Sequence, residues 1–217
     1  MSFRARLRVE LPDRPGALAK VASVIAAHGG NLVGIDVQEV EDDSAIDELV
    51  VDVPDSVDLT ALRTALQESG AGVLVSHQSG AEQVDPVLKS LRWACAMVAA
   101  GPAGADEELT RAVAEALGTS TAWVCNVTEA DSVEAGRMAL ARGGPVSHRT
   151  SDVPASRAPG LTGEVWLLAV PDARLDPHRV AFVVRGVDDR FTATEVARVE
   201  ALLGLRRQLD TAVPVPA

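Results

Sequence analysis

Apolar and charged residues alternate strictly from Phe3 to Leu11. Phe3, Ala5, Leu7, Val9 and Leu11 fall on one side, and Arg4, Arg6, Arg8 and Glu10 on the other. A period of two predicts a half-buried strand. Pro12-Asp13-Arg14-Pro15-Gly16 interrupts it with a turn, and Pro15 suits the first turn of a helix, where its missing N–H costs nothing. The period then lengthens. Leu18, Val21, Ala22 and Ile25 recur at helical spacing, so a helix is predicted from about Gly16 to His28, ended by Gly29-Gly30. A second strand, Leu32 to Val40, carries Val33, Ile35 and Val37. The polar loop Glu41-Asp42-Asp43-Ser44 leads to a third strand from about Ile46 to Val53. Asp58 is placed to cap a helix bearing Leu59, Leu62, Ala65 and Leu66. Gly70 stops that helix, and Val73 to His77 forms the fourth strand. The order βαββαβ predicts a four-stranded antiparallel sheet with both helices on one face and Arg4, Arg6 and Arg8 on the other.

After residue 78 the pattern changes. Residues 79–85 read as a linker. Asp85-Pro86 starts a helix with Val87, Leu88, Leu91, Ala94, Cys95 and Val98 on its apolar side, ended by Gly101-Pro102. A second helix is predicted from about Asp106 to Leu117. Strands follow at Thr121 to Val127, Pro145 to Thr150, Gly163 to Val170 and Val180 to Arg185. Thr192 and Glu195 form a capping box that opens a last helix, with Val196, Val199, Leu202, Leu203, Leu205 and Leu209 along it. The expected class is α+β: residues 1–78 as one domain, 86–210 as another, and 211–217 as a frayed tail.

The residues at the first turn are more specific than the topology. Asp13-Arg14-Pro15-Gly16-Ala17-Leu18, then Gly29-Gly30-Asn31-Leu32, then Ile35, closely resemble the ACT domain pattern, and the resemblance extends from Arg4 to about Gln78. It implies a ferredoxin-like fold, side-by-side pairing, and a small amino acid bound at the interface near the first strand-to-helix turn. Physical chemistry supports each role. The amides of Gly16, Ala17 and Leu18 at a helix N-terminus attract a carboxylate. Gly16 permits close approach. Asn31 offers donor and acceptor, and Asp13 an anion for an ammonium group. Pro15 and Leu32 complete the expected ligand-binding set. Two readings stand for Asp13, which caps its own turn or meets ligand, and two for Asn31, which bonds local backbone or meets ligand. His28 at the helix end reads as solvated or as a carbonyl cap, and not as a ligand contact.

Downstream, Val180 to Arg185, the turn, and Phe191-Thr192-Ala193-Thr194-Glu195 opening the last helix resemble the end of a GAF domain. That resemblance implies a helix pair, Pro86 to Ala100 and Thr192 to Leu209, flanking the sheet. The span Glu129 to Gly160 is short and rich in Ala and Gly for a ligand pocket of that family.

Composition narrows the function. Net charge is -11, with 6 basic against 13 acidic residues in 1–78 and 14 against 18 beyond, so neither part offers a basic surface to nucleic acid or anionic lipid. Aromatics are 3%, which leaves little for base stacking. No leader or membrane-spanning run is visible, so the expected address is the cytoplasm. Cys95 and Cys125 each sit in an apolar stretch and are expected to be buried and reduced.

No phosphate-binding loop, nucleophile elbow or zinc motif appears, and the four histidines have no metal-ligand spacing. Ser147, His148 and Asp152 fail as a triad because adjacent strand residues face opposite sides. No catalytic residue, cofactor or metal is expected. Three readings follow: a homodimeric amino-acid sensor that signals through a GAF-like domain, a non-catalytic dimerisation and docking module with an unidentified protein partner, and an enzyme with an unrecognised site.

Overall fold

A computed structural model describes residues 2–41, 43–80, 86–127, 134–172 and 178–212. The chain forms two compact units, Met1–Val84 and Asp85–Ala217.

The first unit follows the predicted order. It consists of β1 (Ser2–Pro12), α1 (Ala17–Ala27), β2 (Asn31–Glu41), β3 (Ser44–Pro54), α2 (Leu59–Glu68) and β4 (Val73–Ser79). The sheet order is β2-β3-β1-β4, and every pairing is antiparallel. β1 and β3 run in unbroken register from Ser2↔Pro54 to Pro12↔Ser44. Ala5, Leu7, Val9 and Leu11 share one core with Val21 and Ile25 of α1 and Leu62 and Leu66 of α2, so both helices cover the same face. Burying each of the larger side chains contributes about 1.5–3 kcal/mol. The opposite face carries the arginines: Arg4 pairs with Asp52 at 2.7 Å, and Arg6 and Arg8 both approach Glu48 at 3.9 Å.

Local chemistry sets the helix ends. The Thr60 amide donates to Asp58 Oδ1 at 2.8 Å, the expected N-cap of α2. α1 ends at His28, whose Nδ1 lies 2.9 Å from the Val24 carbonyl, the capping one of its two readings. Gly30 admits no side chain there, because a Cβ would lie 2.7 Å from Ile25 Cγ2.

The second unit contains α3 (Pro86–Leu117), β5 (Ala122–Asn126), α4 (Glu134–Arg142), β6 (Val146–Thr150), β7 (Val165–Pro171), β8 (Arg179–Gly186) and α5 (Ala193–Ala212). Its antiparallel sheet has the order β5-β8-β7-β6. Leu168, Val170, Ala181 and Val183 face α3 and α5, while Leu167, Ala169, Val180 and Phe182 face α4. Helices on both faces explain why β7 and β8 read as continuous apolar runs rather than alternating ones. The class is α+β throughout. The capping box is present: the Thr192 amide donates to Glu195 Oε2 at 2.9 Å, and the Glu195 amide donates to Thr192 Oγ1 at 3.3 Å.

Three expectations need correction. Gly101 breaks α3 as predicted (φ 64°, ψ −178°), but the helix resumes at Pro102 rather than Asp106, since proline is at home in a first turn. α4 lies inside the Ala/Gly-rich span where no helix is predicted. Gly136 on α4 lets the helix press onto Phe182, so small residues there mark tight packing. Cys95 is exposed and Cys125 half-buried, not both buried, and neither is in a disulfide. The helix-starting Asp85, the rest of residues 81–85 and the tail from 213 lie outside the described residues.

Candidate functional site

β1 ends at Pro12 and the chain reverses before α1. The Asp13 amide donates to the Asp43 carbonyl at 2.8 Å, which ties the turn to the β2–β3 hairpin. Asp13, Arg14, Pro15 and Gly16 are all exposed. Gly16 is the N-cap of α1 with φ 86°, in the left-handed region that favours glycine, and a Cβ placed on it would meet nothing within 4 Å. No side chain caps this helix.

The turn therefore presents backbone donors to open space, though not all three of those expected. The Ala17 amide is already spent on the Arg14 carbonyl at 3.1 Å, and Ala17 itself is buried in the core. The amides of Leu18 and Ala19 have no acceptor among the described residues, as a first helical turn requires. The Leu18 side chain packs against the core from its edge.

Asn31 and Leu32 stand elsewhere. Asn31 is exposed at the start of β2 and pairs with Asp52, while Leu32 pairs with Val51 and packs on the core. Asp52 is eight residues along β3 from Ser44, the partner of Pro12. At about 3.4 Å per residue, Asn31 and the turn sit at opposite ends of the sheet. One copy of the domain does not bring them to one small ligand.

A residue absent from the predicted set lies at the turn's end of the sheet. Asp47 of β3 is only 4% exposed, and its Oδ1 makes no hydrogen bond. It pairs with Val9 on one side and Val37 on the other, so it faces the helices together with Ala45 and Leu49. Burial, followed by the charges of Asp13 and Asp36, holds its carboxyl above the usual range. A sequence signal for it exists. In the series Ala45, Asp47, Leu49, Val51, Val53, an acid occupies a position that the period of two assigns to the core. Beside it the helix-facing side of β2 is open, with Ile35 45% and Val37 57% exposed.

A concavity of about 350 Å³ lies among the end of β1 up to Pro12, Asp43 and Ser44, and the α2–β4 connection at Gln67 to Val73, and Asp13 to Gly16 do not line it. Among the described residues no cluster of three or more metal-ligating side chains occurs. No helix there is long and apolar enough to cross a membrane. On β6, Ser147 pairs with Leu168 and His148 with Leu167, which belong to opposite faces of the sheet, so the two point apart.

A family model described as ACT domain matches residues 5–71. Residues 5–71 are an ACT domain. Similar solved structures include the ACT domain from GTP pyrophosphokinase of Chlorobium tepidum, with 23% identity, 36% of this chain and 99% of that chain covered, and a TM-score of 0.29. The ACT domain protein from Streptococcus pneumoniae has 28% identity, covers 36% of this chain and 91% of that one, and has a TM-score of 0.30. A formyltetrahydrofolate deformylase from Pseudomonas putida KT2440 has 11% identity, coverage of 95% and 93%, and a TM-score of 0.36. No curated protein matches the chain.

Proposed function

We propose that this chain is a regulatory protein rather than an enzyme: its ACT domain binds a small amino acid between two copies, and the second unit, a GAF-like domain, passes the state on. The observation that carries the reading is the open first turn of α1, where Gly16 leaves space and the Leu18 and Ala19 amides lack acceptors among the described residues. Such a helix end attracts a carboxylate. The separation of Asn31 from the turn supports a ligand shared by two copies, because each end of the sheet then contributes from a different protomer. The exposed Ile35 and Val37 on β2 supply apolar surface for pairing.

For the second unit, support comes from the passage from β8 through Phe191, Thr192 and Glu195 into α5, and from α3 and α5 sharing one face of the sheet. In this reading the protein acts as a cytoplasmic homodimer, and ligand binding changes the equilibrium between states of the pair.

Thermal unfolding against the twenty amino acids at millimolar concentration tests the proposal, with sedimentation velocity reporting the dimer. A selective rise in the midpoint, lost in Gly16→Val and Asn31→Ala, is expected. A hundredfold excess of ligand over Kd stabilises by ~2.7 kcal/mol. No rise with any amino acid overturns the reading. It would then favour a docking module without small-molecule ligand, for which Leu88, Leu91 and Val98, exposed along α3, are the specific observation.

A further inference from the structure

A strand covered on one face by helices keeps that face apolar, because an unpaired carboxylate loses its water there and receives nothing in return. β3 departs from this rule at one position. Ala45, Leu49, Val51 and Val53 join the core of the first unit, and Asp47 stands among them with its Oδ1 unbonded. Among the described residues no Lys, Arg or His pairs with it. Its charged neighbours are Asp13 and Asp36, both of its own sign. The local arrangement is thus short of positive charge.

Asp47 itself is buried, but it lies next to the open edge of the sheet. α1 connects β1 to β2, the two strands that flank β3, so its path crosses β3. It leaves the β2 edge open: Val37, the direct partner of Asp47 on the same face, is 57% exposed. The turn that starts α1 closes the same end of the sheet, through the hydrogen bond from Asp13 to Asp43. The acceptor-free amides of Leu18 and Ala19 and the unbonded oxygen of Asp47 therefore belong to one region, one part donating to an anion and the other lacking a cation.

We propose that Asp47 receives the protonated amine of the ligand, so that the site selects molecules carrying an ammonium group next to a carboxylate and rejects their deaminated counterparts. The inference rests on the amino-acid reading of the ACT domain and adds the residue that recognises the amine. A divalent cation is a poorer fit, since no cluster of three ligating side chains occurs among the described residues. An ammonium needs only one or two carboxylates, and Asp13 at the exposed turn supplies the second.

The test uses the full chain and isothermal titration with three probe sets: L-amino acids, the matching 2-hydroxy acids, and the matching decarboxylated amines. The amino acid that binds the wild type is expected to bind at least tenfold tighter than its 2-hydroxy acid. Asp47→Asn is expected to weaken the amino acid at least tenfold and bring that ratio close to one. Asp36→Asn, on the opposite face, is expected to leave the ratio intact. Circular dichroism and the urea midpoint verify that both variants fold. Equal binding of amino acid and hydroxy acid to the wild type, or an unchanged ratio in Asp47→Asn, overturns the proposal while the amino-acid reading stands. Binding of an amine but of no amino acid, lost in Asp47→Asn, keeps the role of Asp47 and overturns the amino-acid reading. No binding from any set overturns both.

Discussion

The Arg185 guanidinium donates to Glu195 Oε1 at 2.6 Å in the interior of the second unit, where Glu195 is fully buried. The other oxygen of the same carboxylate closes the capping box with Thr192. Arg185 also donates to the Leu117 carbonyl at the end of α3 and stacks 4.9 Å from the Phe191 ring. One buried ion pair thus joins the end of α3, the end of β8 and the start of α5. Removing one partner strands a buried charge, so Glu195→Ala is expected to lower stability by about 3–5 kcal/mol. Glu195→Gln keeps an acceptor for the cap and is expected to lose less. Urea denaturation of the two variants measures this. An effect as small as that of the exposed Glu107→Ala would sink the idea.

Phe182 sets a second, steric constraint. Its ring stacks on Trp123 with centroids 5.0 Å apart, and a Cβ on Gly136 of α4 would lie 2.5 Å from its Cζ. Helix propensity alone predicts that Gly136→Ala stabilises by about 1 kcal/mol. Overpacking is expected to win, for a net loss of about 1–3 kcal/mol. Restoring space with Phe182→Leu should recover part of that loss in the double variant. A stabilised Gly136→Ala would show that the α4 contact is looser than described.

Much of this is legible in the chain. Strict alternation from Phe3 to Leu11 locates β1, and the Asp13 to Leu18 turn locates its family. Thr192 and Glu195 announce α5. The misses have physical causes. α4 is held by Ala135, Gly136 and Ala139 against the sheet, small residues that carry little hydrophobic periodicity. Cys95 lies within an apolar stretch, yet its part of α3 faces outward, and local composition does not determine which face of a helix is covered. The distance between Asn31 and the turn depends on β-sheet register, which short-range pattern does not encode. Asp47 breaks the period of its strand in plain sight. Its lack of a cationic partner, however, depends on what the neighbouring strands place beside it.

Gly16 allows a backbone test separate from ligand. Its φ of 86° costs a residue with a Cβ about 1–2 kcal/mol, while the empty surroundings add no clash. Gly16→Ala is expected to destabilise by about that amount, and Gly16→Asn by less, because asparagine tolerates this conformation. Chemical denaturation without ligand reads the difference. Equal stability of wild type and Gly16→Ala would refute the strained turn.

Asp47 also gives the fold a pH signature. Its carboxyl is held above the ordinary value by burial first, then by Asp13 and Asp36. The folded state therefore holds this proton more tightly than the unfolded chain, whose aspartate titrates near ~3.9. Between that value and the raised folded one, the native state binds more protons, so the Asp47 contribution to stability falls as pH rises and is fully relieved below the window. Asp52 acts in the opposite sense. The hydrogen bond from Arg4 holds its carboxyl below the ordinary range, and its contribution is lost as pH falls through the lowered value. That pair is only half-buried and stays open to solvent screening, so its effect is small. Asp47→Asn removes the first effect alone. The variant is expected to gain stability over the wild type at neutral pH, by about 1–3 kcal/mol, and the gain should shrink toward zero as pH drops below the carboxylate range. Urea midpoints for both proteins from about pH 3 to about pH 8 decide it. Parallel curves would mean that Asp47 keeps an ordinary titration and is solvated in the folded protein.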